Sequence, residues 1–214
     1  MELIVNNINK SIRKKVILSE VNLCLKGGNI YGFVGRNGSG KTMLFRALSG
    51  LMGIDSGSIV WEGKTLHNDF SVLPSLGIII ENAGLYPNFT GIENLTYLAS
   101  LTKRIGQKEI IHAITRVGLN PYDKRLYGKY SLGMKQRLAI AQAIMEKPDV
   151  IMLDEPTNSL DEAGVEEIRR VILEEKERGA LILVASHNKE DIQILADELY
   201  RVENGHVTKQ GANL

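Results

Sequence analysis

Apolar and polar positions follow a strand-like pattern over the first third of the chain, with one helix-like segment inside it. Residues 3–5 and 16–25 alternate or run apolar around a polar turn, which predicts an antiparallel strand pair. The short apolar run Ile30–Val34 precedes a glycine-rich stretch, and residues 42–48 then repeat apolar positions with a helical period. This order predicts a strand, a loop and a helix.

The remaining pattern alternates between strands and helices. Predicted strands cover residues 57–63, 76–81, 149–153 and 181–185, and a hairpin around residues 203–205 closes the order. Predicted helices cover residues 92–104, 108–117, 132–147, 162–178 and 189–196, with a break at Asn120-Pro121. The alternation predicts an α/β fold: a mostly parallel central sheet covered on both faces, with an N-terminal antiparallel β lobe. We expect one domain over residues 1–214, with a helical subdomain inserted at about residues 83–147.

Charge and composition exclude two classes of protein. Lys and Arg number 26 against 25 Asp and Glu, so the chain lacks the basic excess of a generic nucleic-acid binder, and no nucleic-acid partner is expected. Each apolar run stops well short of the ~20 residues that cross a bilayer, so we expect no membrane-spanning segment. The single cysteine, Cys24, cannot form an internal disulfide and fits a reducing cytoplasm.

The glycine-rich stretch matches a phosphate-binding loop, in which a glycine and four residues precede Gly-Lys-Thr. Glycines let backbone N–H groups approach phosphates, and we expect Lys41 to reach the β and γ phosphates and Thr42 to offer its hydroxyl to Mg²⁺. A surface turn is the alternative, but the position between a strand and a helix favours a P-loop NTPase. The candidate residues are Gly35, Arg36, Asn37, Gly38, Ser39, Gly40, Lys41 and Thr42.

Two further strand ends carry candidate catalytic groups. Asp154 and Glu155 follow a buried strand, so a parallel sheet would hold them near the phosphate loop. Asp154 could hold Mg²⁺, and Glu155 could polarise the water that attacks the γ phosphorus. His187 follows the next strand at the same sheet edge, where it could reach the γ phosphate. Alone, these residues could be an acidic turn and a helix cap; beside a phosphate loop they indicate catalysis.

A third element resembles the signature sequence of ATP-binding-cassette (ABC) ATPases. Residues 130–136 read YSLGMKQ, which keeps Ser131 and Gly133 of the family sequence Leu-Ser-Gly-Gly-Gln. A serine cap on an amphipathic helix is a second interpretation that can hold at the same time. The resemblance implies that two copies close head to tail over two ATP molecules, with Ser131 and Gly133 of one copy completing the phosphate site of the other. It also places Asp161 at the dimer seam.

Two positions depart from the family pattern. The family usually has a glutamine where the strand over residues 76–81 ends, and here that position is Glu81, a candidate Mg²⁺ ligand whose charge should alter metal affinity. The aromatic residue that normally stacks on adenine has Ile12 as its nearest match, which weakens the basis for preferring ATP over GTP. The resemblance otherwise implies ATP and Mg²⁺ as cofactors.

The stretch from Glu81 to Leu95, together with residues 130–134, resembles bacterial bacitracin-resistance and lantibiotic-immunity exporter ATPases. The resemblance implies an ATPase subunit that works as a homodimer or pairs with a related ATPase subunit. Its other partners would be integral-membrane permease subunits, which would hold it on the cytoplasmic face of the membrane. Residues 82–93, exposing Leu85, Tyr86 and Phe89, are the candidate docking surface, with local packing as the alternative.

Two other functions share some of these motifs. A soluble ABC-type ATPase acting on a cytoplasmic macromolecular partner would share all of them, but its support here is limited to short basic clusters such as residues 13–15. A small-molecule kinase would share the phosphate loop. It would need neither Ser131 and Gly133 nor Glu155 directed at a water.

Overall fold

Strands and helices follow the apolar pattern along the chain. The computed structural model describes residues 1–80, 84–187 and 189–211. The strands are β1 (Glu2–Ile12), β2 (Lys15–Lys26), β3 (Ile30–Val34), β4 (Ser56–Trp61), β5 (Lys64–Thr65), β6 (Leu76–Ile79), β7 (Val150–Asp154), β8 (Leu181–Ala185), β9 (Glu198–Glu203) and β10 (His206–Lys209). The helices are α1 (Lys41–Ser49), α2 (Gly91–Thr102), α3 (Gln107–Arg116), α4 (Leu132–Ile144), α5 (Glu162–Glu177) and α6 (Lys189–Leu195).

A six-stranded sheet of order β10-β9-β3-β8-β7-β6 forms the centre of the molecule. Its strands pair in parallel except β10, which runs antiparallel to β9. β3, β7 and β8 are almost entirely buried, which explains why their sequences are nearly continuous apolar runs rather than alternating ones. The predicted fold class, α/β with a mostly parallel sheet, is confirmed.

An antiparallel sheet of order β2-β1-β4-β5 confirms the predicted N-terminal β lobe. Helix α1 contributes to the apolar core between the two sheets: Leu44, Phe45 and Leu48 are fully buried there, and Phe33 of β3 contacts Phe45 edge to face at 5.6 Å. A second core on the opposite face joins the central sheet to α2, α3, α4, α5 and α6. The central sheet is therefore covered on both faces, and α1 is held against it with its N-terminus at the sheet edge.

Helices α2, α3 and α4 lie between β6 and β7 in the chain. Helix α2 begins at a capping box, in which the Glu93 N–H donates to Thr90 Oγ1 (3.3 Å) and the Thr90 N–H donates to Glu93 Oε2 (2.7 Å). Helix α4 lies directly against β6, because a Cβ on Gly77 would come within 1.8 Å of the Ala143 carbonyl oxygen. Glycine is required at this contact, which fixes the C-terminal part of α4 on the sheet.

The structure corrects several predicted elements. β1 continues to Ile12, through register shifts and a positive φ of 46° at Asn7, instead of ending at residue 5. β6 and α4 end earlier than predicted, at Ile79 and Ile144, and the short strand β5 and a 3₁₀ turn at Tyr127–Lys129 had no sequence signal. In the part of the chain that the structure describes, every helix is too short or too polar to cross a bilayer.

Candidate active site

The loop between β3 and α1 forms a concave backbone surface at one edge of the central sheet. Gly38 and Gly40 have φ angles of +79° and +111°, which residues with side chains rarely adopt. Lys41 is only 6 % exposed, and its Nζ donates to the carbonyl oxygens of Gly35 (2.8 Å) and Arg36 (3.4 Å). The ammonium group is thus held within the loop beside the N-terminus of α1, where its charge and the helix dipole both favour a bound anion.

Asp154 lies at the end of β7, at the same edge of the sheet. Thr42 Oγ1 donates to Asp154 Oδ2 at 2.5 Å, so a hydroxyl and a carboxylate oxygen lie side by side. These are hard oxygen ligands of the kind that Mg²⁺ takes, and the pair therefore fits such a cation. Glu81, the third candidate ligand, lies outside the described residues. Among the residues that are described, there is no group of three or more His, Cys, Asp and Glu side chains that could hold a metal ion alone.

Glu155 and His187 face each other across the ends of β7 and β8. The backbone N–H of His187 donates to Glu155 Oε1 (3.0 Å), and His187 Nδ1 lies 2.8 Å from Glu155 Oε2. The Ser186 hydroxyl donates to the same Oε2 at 3.3 Å, and the Glu155 N–H donates to the Ala185 carbonyl at 2.7 Å. Glu155 has a φ of +52°, a region that strains a non-glycine backbone by about 1–3 kcal/mol. These surrounding bonds hold the carboxylate in its orientation.

A cavity of about 940 Å³ connects the phosphate loop with the acidic strand end. Its lining includes Lys15, Val16, Ile17, Asn37, Gly38, Ser39, Gly40, Lys41, Thr42, Gln136, Asp154, Glu155, Asn158, Asn204 and Gly205. None of these lining residues is aromatic. Ile12 is not among them, and Val16 and Ile17 are the aliphatic side chains beside the loop. His187 lines a second cavity together with residues 34–39.

Ser131 and Gly133 lie at the N-terminus of α4, on a different surface from the phosphate loop. Ser131 caps the helix, and its Oγ accepts from the Met134 N–H at 3.2 Å. Gly133 packs closely on the segment that follows β7, because a Cβ there would lie 2.9 Å from the Ser159 carbonyl oxygen. Both residues line a separate cavity of about 880 Å³ together with Asp161. Within one chain, the structure does not bring Ser131 and Gly133 to the phosphate loop.

Tyr130 fixes the segment before Ser131 to the start of α2. Its ring is buried, and burial raises the pKa of the phenol above its usual value, so the side chain stays neutral at physiological pH. Its hydroxyl lies so close to Gly91 that a Cβ there would be 2.8 Å away. The Arg125 guanidinium lies 5.9 Å from the centre of the ring. The end of α4 that carries Ser131 therefore has a defined position.

Gln136 is a residue of this site for which no role was predicted from the sequence. It lies in α4, lines the phosphate-loop cavity, and donates from Nε2 to the carbonyl oxygens of Glu155 (3.2 Å) and Pro156 (3.1 Å). A glutamine is an ordinary residue for the surface of a helix, and this contact joins positions 19 and 20 residues apart. No local sequence pattern predicts such a contact.

Comparison with protein families identifies the family. A family model described as ABC transporter matches residues 18–158, a range that contains the phosphate loop, residues 130–136 and the Asp154-Glu155 strand end. The chain belongs to the ABC transporter family. The resemblance inferred from the sequence motifs is confirmed.

Three relatives match almost the whole chain. YybJ of Bacillus subtilis (strain 168), an uncharacterized ABC transporter ATP-binding protein, is 47 % identical over 201 residues, which are 94 % of this chain and 92 % of YybJ. The lantibiotic transport ATP-binding protein SrtF of Streptococcus pyogenes is 36 % identical over 95 % of this chain and 87 % of SrtF. The bacitracin transport ATP-binding protein BcrA of Bacillus licheniformis is 38 % identical over 95 % of this chain and 67 % of BcrA. The predicted similarity to bacitracin and lantibiotic transport ATPases is confirmed.

Solved structures agree with the fold. The dimeric structure of MJ0796, a bacterial ABC transporter cassette, matches with a TM-score of 0.87 over 99 % of both chains at 22 % identity. At that identity the match supports the architecture and carries no residue roles. The family match and the relatives identify this chain as an ATP-binding subunit of an ABC transporter and as an ATPase. They do not support the alternative, a soluble ABC-type ATPase with a cytoplasmic macromolecular partner.

Proposed function

We propose that this chain is the ATP-hydrolysing subunit of a bacterial exporter for a peptide, an antibiotic or another small molecule. The relatives named for lantibiotic and bacitracin transport support this class of cargo. One observation carries the catalytic part of the proposal: Thr42 with Asp154, and Glu155 with His187, form two close pairs at one sheet edge beside the phosphate loop.

Each residue of this edge has a proposed role. The backbone N–H groups of residues 37–40 and the Lys41 ammonium bind the β and γ phosphates of ATP. Glu155 accepts a proton from the water that attacks the γ phosphorus, which yields ADP and phosphate. His187 holds the Glu155 carboxylate through its N–H and Nδ1 and lies where it can approach the γ phosphate.

Thr42 and Asp154 would hold Mg²⁺ on the phosphate side of the loop. Their side-chain oxygens lie 2.5 Å apart, and the remaining ligands would be phosphate oxygens and water, as is usual for this cation. Mg²⁺ would neutralise phosphate charge during the reaction. We retain Glu81 as a third candidate ligand on sequence grounds alone.

Two copies would enclose two ATP molecules, as a homodimer or with a related ATPase subunit. Ser131 and Gly133 of one copy would bind the phosphates held by Lys41 of the other. Three observations support this arrangement: Ser131 and Gly133 lie away from the phosphate loop of their own chain, Asp161 beside them is exposed, and a structural neighbour was solved as a dimer.

Ser131→Arg tests the shared site. A long cationic side chain at the tip of α4 should obstruct closure, so we expect ATP turnover to fall at least about 10-fold while ATP affinity at micromolar protein stays unchanged. Ser71→Arg, at an exposed position outside both cavities, is the matched control and should keep full turnover. Turnover and sedimentation in ATP are the measurements. Full activity of Ser131→Arg, or a wild type that hydrolyses ATP as a monomer, contradicts the dimer.

The helical subdomain that we propose at about residues 83–147 would dock on the permease and hold the chain on the cytoplasmic face of the membrane. Tyr86, Phe89 and Tyr97 are 48 %, 37 % and 40 % exposed and form one cluster, with ring centres 5.3 to 6.4 Å apart. Leu85, also expected at this surface, is 8 % exposed and belongs to the core. Clustered exposed aromatic rings are typical of protein interfaces.

Phe89→Ala tests this surface. We expect recovery of the chain with membranes, on co-expression with the permease encoded beside it, to fall about 10-fold, because an aromatic anchor contributes roughly 1–3 kcal/mol to an interface. Basal ATP turnover of the isolated chain should not change. Tyr122→Ala removes another exposed ring of the same subdomain and serves as the control. Equal recovery of the Phe89 and Tyr122 variants contradicts docking at Tyr86, Phe89 and Tyr97.

A further inference from the structure

The side-chain amide of Gln136 connects α4 to the backbone that follows the catalytic carboxylate. Its Nε2 lies 3.2 Å from the Glu155 carbonyl oxygen and 3.1 Å from that of Pro156, so one amide group bonds two successive carbonyls. The Glu155 carbonyl also accepts from the Asn158 N–H at 3.3 Å within the following turn. Gln136 therefore ties a separate helix to the turn that sets the direction of the Glu155 side chain.

The turn at Glu155 depends on hydrogen bonds from neighbouring elements to keep its backbone conformation. Glu155 has a φ of +52°, so its backbone is held in a region that the residue does not favour. On the β8 side, Ala185, Ser186 and His187 bond its N–H and its carboxylate. On the α4 side, Gln136 bonds its carbonyl. Loss of the α4 contact would leave the carbonyl end of this residue less restrained while the carboxylate keeps its partners on β8.

Helix α4 meets the segment after Glu155 at further points within its first two turns. Gly133 packs against the Ser159 carbonyl oxygen, and Arg137 lies 3.7 Å from Asp161 while bonding Glu167 and the Val117 carbonyl. The same end of α4 carries Ser131, the proposed contact to the phosphates of the partner copy. A shift of this helix end on closure would therefore reach the backbone of Glu155 through Gln136.

We propose that Gln136 is a positioning residue for Glu155. Through Gln136, binding of the Ser131 end of α4 to the partner's nucleotide is coupled to the orientation of the Glu155 carboxylate in the same chain as Gln136. This inference rests on the proposed function of Glu155 and on the shared dimer site. The amide of Gln136 bonds carbonyl oxygens and not the Glu155 carboxylate, so it acts through the main chain of Glu155 and Pro156.

Gln136→Met tests the coupling, because it keeps the length of the side chain and removes both amide donors. We expect the kcat for ATP to fall about 10-fold, as for loss of hydrogen bonds that hold a catalytic group, while the Kd for ATP changes less than about twofold. Gln136→Glu keeps the shape of the side chain but places a carboxylate acceptor against the two carbonyl oxygens. Its kcat should therefore fall further than that of Gln136→Met. Gln107→Met, at the exposed start of α3, makes the same chemical change away from the site and should be neutral.

A double-mutant cycle with Glu155→Gln separates positioning from a general loss of structure. If Gln136 acts through Glu155, its replacement by Met should lower the residual single-turnover rate of the Glu155→Gln variant by less than about twofold. A further loss of about 10-fold in that background, or an unchanged kcat in both Gln136 variants, overturns the proposal. If Gln136→Met does not fold, the Gln136→Glu variant gives the same cycle. Unchanged turnover of Glu155→Gln by itself overturns the role of Glu155 instead, so the two failures are distinguishable.

Discussion

Replacement of Glu155 by Gln is expected to lower ATP turnover at least ~10²-fold, because a positioned general base contributes about this much to a hydrolysis rate. The amide cannot accept the proton of the attacking water, but its oxygen can still accept the N–H of His187, so the geometry of the turn is kept. ATP affinity should stay within about twofold, since in the proposed site the loop and Lys41, and not Glu155, bind the phosphates. Phosphate release and equilibrium ATP binding are the two measurements.

Glu162→Gln is the control for this change. Glu162 lies exposed in the first turn of α5, after the same loop, and the substitution removes the same charge outside the cavity. Its turnover should equal that of the wild type. Turnover of the Glu155 variant close to the wild-type rate would show that another group activates the water, and parallel losses in kcat and ATP affinity would point to a disturbed loop.

Replacement of Lys41 by Ala is expected to weaken ATP binding at least about 100-fold. The ammonium group is the buried cation of the phosphate loop, and a charge-assisted contact to phosphate in a partly buried site is worth several times an exposed one. Lys41 also donates to the carbonyl oxygens of Gly35 and Arg36, so its loss could relax the loop itself. Calorimetric titration with ATP gives the affinity.

Comparison of nucleotides separates these two effects of Lys41. If the missing charge is responsible, ATP and ADP should lose far more affinity than AMP, which lacks the β and γ phosphates. Equal losses for all three nucleotides would indicate a collapsed loop and contradict the assigned role. Lys64→Ala, on the exposed edge strand β5, removes one positive charge away from the cavity and should leave every affinity unchanged.

The central sheet was predictable because burial imposes a simple pattern on its strands. β3 and β8 match the predicted ranges residue for residue, since both are buried apolar runs between breaks. β1 was predicted too short because Asn6, Asn7 and Asn9 are poor strand formers. They are accommodated by register shifts, with Asn9 Nδ2 donating to the Asn7 carbonyl and to Ser56 Oγ. Such compensation depends on the neighbouring strand β4, which a local pattern does not reveal.

In the candidate site, too, residues in short motifs could be predicted and contacts between distant segments could not. The places of the glycine-rich loop, Asp154, Glu155 and the Ser131 cap in the fold could be predicted, because each depends on a short motif at the end of an element. The exposure of Leu85 was predicted wrongly, since its side chain packs into the core on the α2–α6 face of the sheet while Tyr86 stays exposed. The contact of Gln136 with Glu155 and the place of Val16 beside the loop arise from tertiary packing, so neither could be derived from spacing along the chain.

Gly77 packs closely on Ala143, and this contact holds α4 against the sheet near the C-terminal end of the helix. The helix rises 1.5 Å per residue, so its Ser131 tip lies about 18 Å from that point and Gln136 about 10 Å. A tilt of 5° about this contact would move Ser131 by roughly 1.6 Å and Gln136 by roughly 0.9 Å. The second displacement is enough to break the bonds of 3.2 and 3.1 Å from Gln136 to the carbonyl oxygens of Glu155 and Pro156. If dimer closure tilts α4 in this way, as the proposed coupling requires, a small rotation at the sheet is sufficient to break or form the bonds between Gln136 and the turn at Glu155.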